Sequence, residues 1–327
     1  LALGMTCMLP AQLCAAPEAV PAVGAKAVGF SAGLGNGERI GKIRILGLLQ
    51  LPSFSVNKLR FAEFSDLAWD DDNGILYAAS DQGGLFWLQP LFTNSFLTDV
   101  KLIKALPLRE LNGKALRWTR TDAEGMDVVN GRNRRKNDAE LVISFEREQR
   151  MLRYRTDGTA ISQYTLPKPL DNIKNYHGAN KALEAVCVAP GHGVLTVAEQ
   201  PLSGERPGYT RIFDLQGKSW FYPVTKNSGI VALHCTAGGD ILVLERDYLS
   251  IMVHTIITLK RIHLPVDLPD GATLSAETLV RLDDDSGLRL DNFEGLTRHR
   301  GNRYFMISDN NDNFLQRTLL LYFEIVE

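Results

Sequence analysis

Residues 291–311 read DNFEGLTRHRGNRYFMISDNN, two runs rich in β-branched and aromatic residues separated by the turn RHRGN. Glu294 stands just ahead of the first run and Asp309 closes the second. Two such runs around a Gly-containing turn form a β-hairpin, and an antiparallel pairing brings the two acids together at the end away from the turn.

The same pattern recurs along the chain. GILYAAS, AELVISFE, GVLTVAE, DILVLE, RYFMIS and TLLLYFEIV are short apolar runs bounded by Gly, Asp, Asn or Pro, and helical periodicity is nearly absent. Aligning the acids that close these runs gives Asp81, Glu146, Glu199, Glu245 and Asp309. Counting back 15 positions reaches Asp66, Glu184, Ile230 and Glu294. In the second copy Glu124 precedes Glu146 by 22, the extra seven falling in the loop NGRNRRKND. The five starts, 66, 124, 184, 230 and 294, are spaced by 58, 60, 46 and 64 residues, which suits four-stranded propeller blades with variable loops. Third strands follow in QRMLRYRT, YTRIFDL, SIMVHTIITL and RTLLLYFEIV.

The expected fold is therefore all-β, a single β-propeller of five or six four-stranded blades. The last copy runs out of chain after its third strand, so the spare segment 39–51, RIGKIRILGLLQL, is expected to close the ring on it. A sixth, degenerate blade has room in the first 60 residues or in 250–290. The expected organisation is a secretory signal remnant over 1–19, a flexible Gly/Ala-rich lead-in over 20–38 and the propeller over 39–327. That points to a periplasmic or secreted protein.

Composition bounds the partners. With 36 basic and 38 acidic residues the net charge is −2, so no overall field favours nucleic acid. No later segment offers the ~20 apolar residues of a membrane helix. A monomer acting on a small molecule is the expectation. There is no HExxH, CxxC or zinc spacing. Cys187 and Cys235 read as buried thiols in strands, with a bridge as the alternative. GFSAG, 29–33, matches a nucleophile-elbow pattern but lacks the strand–turn–helix setting that such an elbow needs. DDDNG, 70–74, is better explained as a hairpin turn than as a calcium loop.

In a propeller the first strand of each blade lines the channel, so Asp66, Asp81, Glu124, Glu146, Glu184, Glu199, Glu245, Glu294 and Asp309 are expected to ring one mouth. Crowded carboxylates raise one another's pKa or take up a cation. Oxygen ligands without nearby His or Cys suit Ca²⁺ first and Mg²⁺ second. Of the histidines, only His177 in NYHGAN is placed near the mouth.

These residues carry a resemblance. FSDLAWDDDNGILYAASDQG, ALEAVCVAPGHGVLTVAEQPL, LERDY at 244–248 and NFEGL…ISDNN occur in the order seen in phytase-like propellers, the group labelled "esterase-like activity of phytase", over roughly 40–327. The resemblance implies an exported propeller, with six blades slightly favoured, and a Ca²⁺-dependent phosphoesterase or other esterase at the acidic mouth. It implies metal ligands Glu124, Glu184, Glu199, Glu294 and Asp309, with Glu199 or Glu245 orienting water. Arg246, Arg147, His177, Lys181 and Asn310 would meet a phosphorylated substrate. The alternatives are a non-catalytic binding propeller with structural metal and a Ca²⁺-dependent lactonase-like hydrolase.

Overall fold

The structure, a computed structural model, describes residues 20–247, 254–313 and 315–327. Residues 1–19, where a signal remnant is expected, and the start of the SIMVHTIITL strand lie outside them. The described residues form five four-stranded antiparallel blades. Blade 1 is β6 (Phe64–Asp70), β7 (Ile75–Ser80), β8 (Gly84–Thr93) and β9 (Phe96–Pro107). Blade 2 is β10 (Ala123–Val129), β11 (Glu140–Phe145), β12 (Arg150–Arg155) and β13 (Ala160–Gln163). Blade 3 is β14 (Leu183–Ala189), β15 (Gly193–Ala198), β16 (Tyr209–Asp214) and β17 (Ser219–Pro223). Blade 4 is β18 (Ser228–Cys235), β19 (Asp240–Asp247), β20 (Ile256–His263) and β21 (Ala276–Asp283).

Blade 5 takes β22 (Asn292–Arg300), β23 (Arg303–Asp309) and β24 (Leu319–Ile325) from the end of the chain and β3 (Ile43–Gln50) from near its start. This is the expected closure: β3 covers the edge that β24 would otherwise expose. β1 (Lys26–Ala27) and β2 (Arg39–Ile40) pair with the other edge of β3, and β4 (Phe54–Val56) and β5 (Leu59–Phe61) make a small hairpin. The lead-in 20–38 is held against blades 1, 4 and 5, with the Val23 amide donating to the Val100 carbonyl and Phe30 fully buried beside Phe293. The lean towards a sixth blade is not realised. The described part of 250–290 supplies the outer strands β20 and β21, and the first 60 residues supply the closing strand.

The core lies between blades rather than within any one. Successive apolar clusters join blades 5 and 1, 1 and 2, 3 and 4, and 4 and 5, with a smaller one between 2 and 3. Because each sheet is covered on both faces, its middle strands read as continuous apolar runs such as Leu141–Ile143 and Ile241–Leu244. The innermost strands β6, β10, β14, β18 and β22 pack side by side in a closed circle.

Every inner strand carries a β-bulge at the same place. The pairings Phe64–Ser80, Ala123–Phe145, Leu183–Ala198, Ile230–Glu245 and Phe293–Ser308 are each followed by one extra residue on the inner strand. Just past the bulge stand Asp66, Gly125, Ala185, Ala232 and Gly295. A Cβ on Gly125 would lie 2.5 Å from the Glu184 carbonyl oxygen, and one on Gly295 2.8 Å from Asp66 Cα, so neighbouring inner strands nearly touch. Asp66 is the one polar side chain in this column. Its carboxylate accepts from the amides of Leu67 (2.8 Å), Leu296 (3.0 Å) and Met126 (2.7 Å), joining blade 1 to blades 5 and 2.

Cys187 and Cys235 form a disulfide, not two thiols, across 5.5 Å of Cα–Cα distance. They sit late in β14 and β18, adjacent inner strands that the ring places in register, which spacing along the chain does not reveal. The bridge closes a loop of about 50 residues, and its removal is expected to lower unfolding free energy by about 2–4 kcal/mol. Urea denaturation of a Cys187→Ala/Cys235→Ala variant checks this, and an unchanged midpoint would contradict it.

Candidate active site at the acidic channel mouth

The bulge decides which side chains reach the mouth. The bulged residues are Ser65, Glu124, Glu184, Val231 and Glu294, and the residues following the paired position on the second strand are Asp81, Glu146, Glu199, Arg246 and Asp309. All of these except Val231 line one cavity of about 180 Å³, joined by Asp122, Arg147, Asn180 and Asn311. Eight carboxylates therefore face two arginines.

All five residues expected to hold metal, Glu124, Glu184, Glu199, Glu294 and Asp309, line this cavity, as do Arg147 and Arg246. Lys181 stands at its edge, 4.0 Å from Glu199. Four expectations shift. Glu245 is fully buried outside the cavity, accepting from Tyr222 Oη (2.6 Å), Lys260 Nζ (2.9 Å) and the Thr225 amide. Arg246 holds its place in the ring. Asp66 lies one residue deeper than the mouth, and Ser65 faces the cavity instead. Asn310 turns its carboxamide to the Glu63 amide (3.0 Å), leaving Asn311 to line the site. His177 is exposed on its loop and does not line the cavity.

Asp122 is the acid that the sequence comparison misses. It lies two residues before Glu124, so period-2 alternation was the available signal. Its carboxylate pairs with Arg147 Nε at 2.9 Å. Arg246, almost buried, bonds Glu294 and Asn292 and lies 3.6 Å from Glu199.

Two groups of three carboxylates offer oxygens that all lie within 4.8 Å of one another: Asp122, Glu124 and Glu146, and Glu146, Glu184 and Glu199. Burial, then mutual repulsion, raises their pKa values. The Glu146 carboxyl is pushed up to about 8 by burial and by Glu199 and Asp122. Burial and Glu63 carry Asp81 to about 8, and burial and Glu294 carry Asp309 to about 8. Glu124 and Glu184 stand well above the usual range, through burial and the carboxylates of their neighbours. Burial brings Glu199 to about 7, against the pull of Arg246 and Lys181. An oxygen-only cluster with uncompensated negative charge fits a hard divalent cation.

A family model described as "Phytase-like: Esterase-like activity of phytase" matches residues 59–312. No curated protein matches the chain. Among solved structures it is similar to the β-propeller domain of Cps50 (Swd1) from Myceliophteria thermophila, at 10% identity over 93% of this chain and 99% of that one, TM-score 0.41. It is also similar to the Pan2 WD40 domain of Neurospora crassa, at 10% identity over 89% and 100% of the two chains, TM-score 0.44. U3-55K matches at 9% identity over 86% and 84%, TM-score 0.39.

A carboxyl with a folded-state pKa near 8 keeps a proton that the unfolded chain releases at about 4. Between those values the folded state binds more protons, so stability falls as pH rises. Cation-free protein is therefore expected to lose stability steadily from about pH 4.5 to about pH 8. Saturating Ca²⁺ should flatten that slope. Urea denaturation across the range, with chelator and with Ca²⁺, tests both, and a cation-free slope of opposite sign would contradict the reading.

Proposed function

The chain belongs to the phytase-like family, and from that premise and its acidic mouth we propose that it is a divalent-cation-dependent ester hydrolase acting on phosphate esters. One observation carries the reading: eight carboxylates stand against two arginines around one small cavity, where burial and repulsion push Asp81, Glu146 and Asp309 up to about 8 and burial brings Glu199 to about 7. Ca²⁺ is the cation that such a donor set favours, with Mg²⁺ second.

Glu124, Glu146 and Glu184, with Asp122, would hold the cation, and Glu294 and Asp309 line the same cavity from blade 5. When bound, it supplies positive charge that draws in phosphate oxygens and makes the phosphorus more electrophilic. Glu199, poised near pH 7 between Arg246 and Lys181, is suited to take the proton from the attacking water. The new P–O bond forms as the ester P–O bond breaks, and the proton that Glu199 took from water passes to the departing alkoxide, so that the alcohol leaves neutral and Glu199 is restored. Arg147 flanks the cavity and can meet the remaining phosphate charge. Arg246 anchors Glu294 and Glu199 and so fixes two walls of the site.

A second reading, a binding propeller in which the cation only holds the blades together, draws on a specific feature. Both mouth arginines are already ion-paired with cavity acids, which leaves little basic surface for a substrate anion.

The two separate in one experiment. Calcium-loaded protein is expected to hydrolyse p-nitrophenyl phosphate and to lose turnover with chelator. Glu184→Gln should lower Ca²⁺ affinity at least about tenfold, the cost of removing one charged ligand. Glu245→Gln, which sits outside the cavity, should leave Ca²⁺ affinity unchanged while lowering the melting temperature. Calcium binding without turnover of phosphate or carboxylate esters would favour the binding reading. No calcium binding would end both.

A further inference from the structure

The far end of the channel is built from residues that the acidic mouth does not use. The C-terminal halves of all five inner strands converge there on a cavity of about 310 Å³, with Trp69, Asp127, Val188, His234 and Arg298 each contributed by a different blade. The loop 130–138, where the seven extra residues of the second repeat fall, adds Arg132.

That loop is tied down. Its Gly131 carbonyl accepts from the Asp71 amide (2.8 Å), and the Asp72 carboxylate accepts from the amides of Asn133 (2.8 Å) and Arg134 (3.1 Å) on blade 1. Arg134 adopts φ of +66°, a left-handed backbone that these contacts hold in place. From this base Arg132 reaches blade 5, where its Nη2 donates to the carbonyl oxygens of Arg298 (2.6 Å) and His299 (3.2 Å). Arg298 donates its Nε to the Gly301 carbonyl at 2.7 Å. The two guanidinium groups are fixed by main-chain oxygens, and among the described residues neither forms an ion pair with a carboxylate.

The field they produce registers on their neighbours. Burial together with Arg132 and Arg298 pushes the His234 imidazole down to about 3, so it stays neutral. Burial and Arg298 also lower the pKa of Arg132. Asp127 is the one acid in the lining, and its oxygens already accept from the Val188 (2.7 Å) and Val128 (2.8 Å) amides. Arg134, Arg135 and Lys136 extend the positive charge along the exposed loop and would steer an anion inward.

We propose that this second mouth is an anion site, holding a phosphate group or a small phosphate monoester between Arg132 and Arg298. Two fixed forks supply two positive charges, which match a dianion, and bidentate guanidinium geometry suits tetrahedral oxygens. The cavity has room for the group and a small substituent. Nothing in the site depends on the chemistry of the acidic mouth.

Isothermal titration of inorganic phosphate into the full chain tests it, with chelator present and ionic strength held constant. One saturable site is expected. Arg132→Gln and Arg298→Gln should each weaken it at least about tenfold, the worth of one charge-assisted hydrogen bond. Glu184→Gln, at the opposite mouth, should leave it unchanged. Because Arg132 also anchors the loop, Arg298→Gln decides the matter if Arg132→Gln melts early. Absence of saturable binding at millimolar phosphate would overturn the proposal. So would binding that survives both arginine substitutions, or binding lost in Glu184→Gln. None of these outcomes touches the calcium and turnover results.

Discussion

One extra residue in each inner strand sets the character of this molecule. The bulge at Ser65, Glu124, Glu184 and Glu294 re-aims that side chain into the channel mouth, and in all five blades, including blade 4 where the bulged Val231 stays out of the cavity, the next residue of the second strand reaches it. Beneath it the strands close to near contact, allowed by Gly125, Ala185, Ala232 and Gly295 and bridged by the Asp66 carboxylate. The fold thus concentrates acids where solvent is scarce. Desolvation and repulsion then hold protons on them that free carboxylates would release. A divalent cation is the simplest way to offset that charge at neutral pH.

The repeat was legible because hairpin geometry is local. The 15-residue interval holds for Glu184 and Glu199 and for Glu294 and Asp309 and points to the ring of blades with its acids at one mouth, while the spare segment 39–51, through Ile43–Gln50, supplies the closing strand. The interval failed in blades 1 and 4 for a physical reason. The blade 1 hairpin turns through Asp71–Gly74, so the true pair is Ser65 and Asp81, 16 apart. In blade 4 an acid happens to stand one residue early, so Glu245 was aligned where Arg246 belongs. Counting from the start of the second strand would have found it. The ring residue is the seventh from Ile75, Glu140, Gly193, Asp240 and Arg303 alike.

What spacing could not give was anything that depends on neighbouring blades. The Cys187–Cys235 bridge needs two inner strands side by side at equal depth. The reach of loop 130–138 over blade 1 to blade 5 needs the ring to be closed first. The net charge of −2 hides a bipolar channel for the same reason: acids gather at the N-terminal ends of the inner strands and arginines at their C-terminal ends. Arg246, which shares the acidic mouth with Arg147, is balanced by Glu294 and Glu199, as Arg147 is by Asp122.

The claim that the bulged acids form a cation site is tested most directly by anomalous diffraction from crystals soaked in a terbium salt, a lanthanide stand-in for Ca²⁺. The account predicts an anomalous peak among Glu146, Glu184 and Glu199, or between Asp122, Glu124 and Glu146, with Arg246 still against Glu294. A mouth without metal, with the peak instead beside His254, Asp283 and Asp285 at the start of β20 and the end of β21 in blade 4, would contradict it.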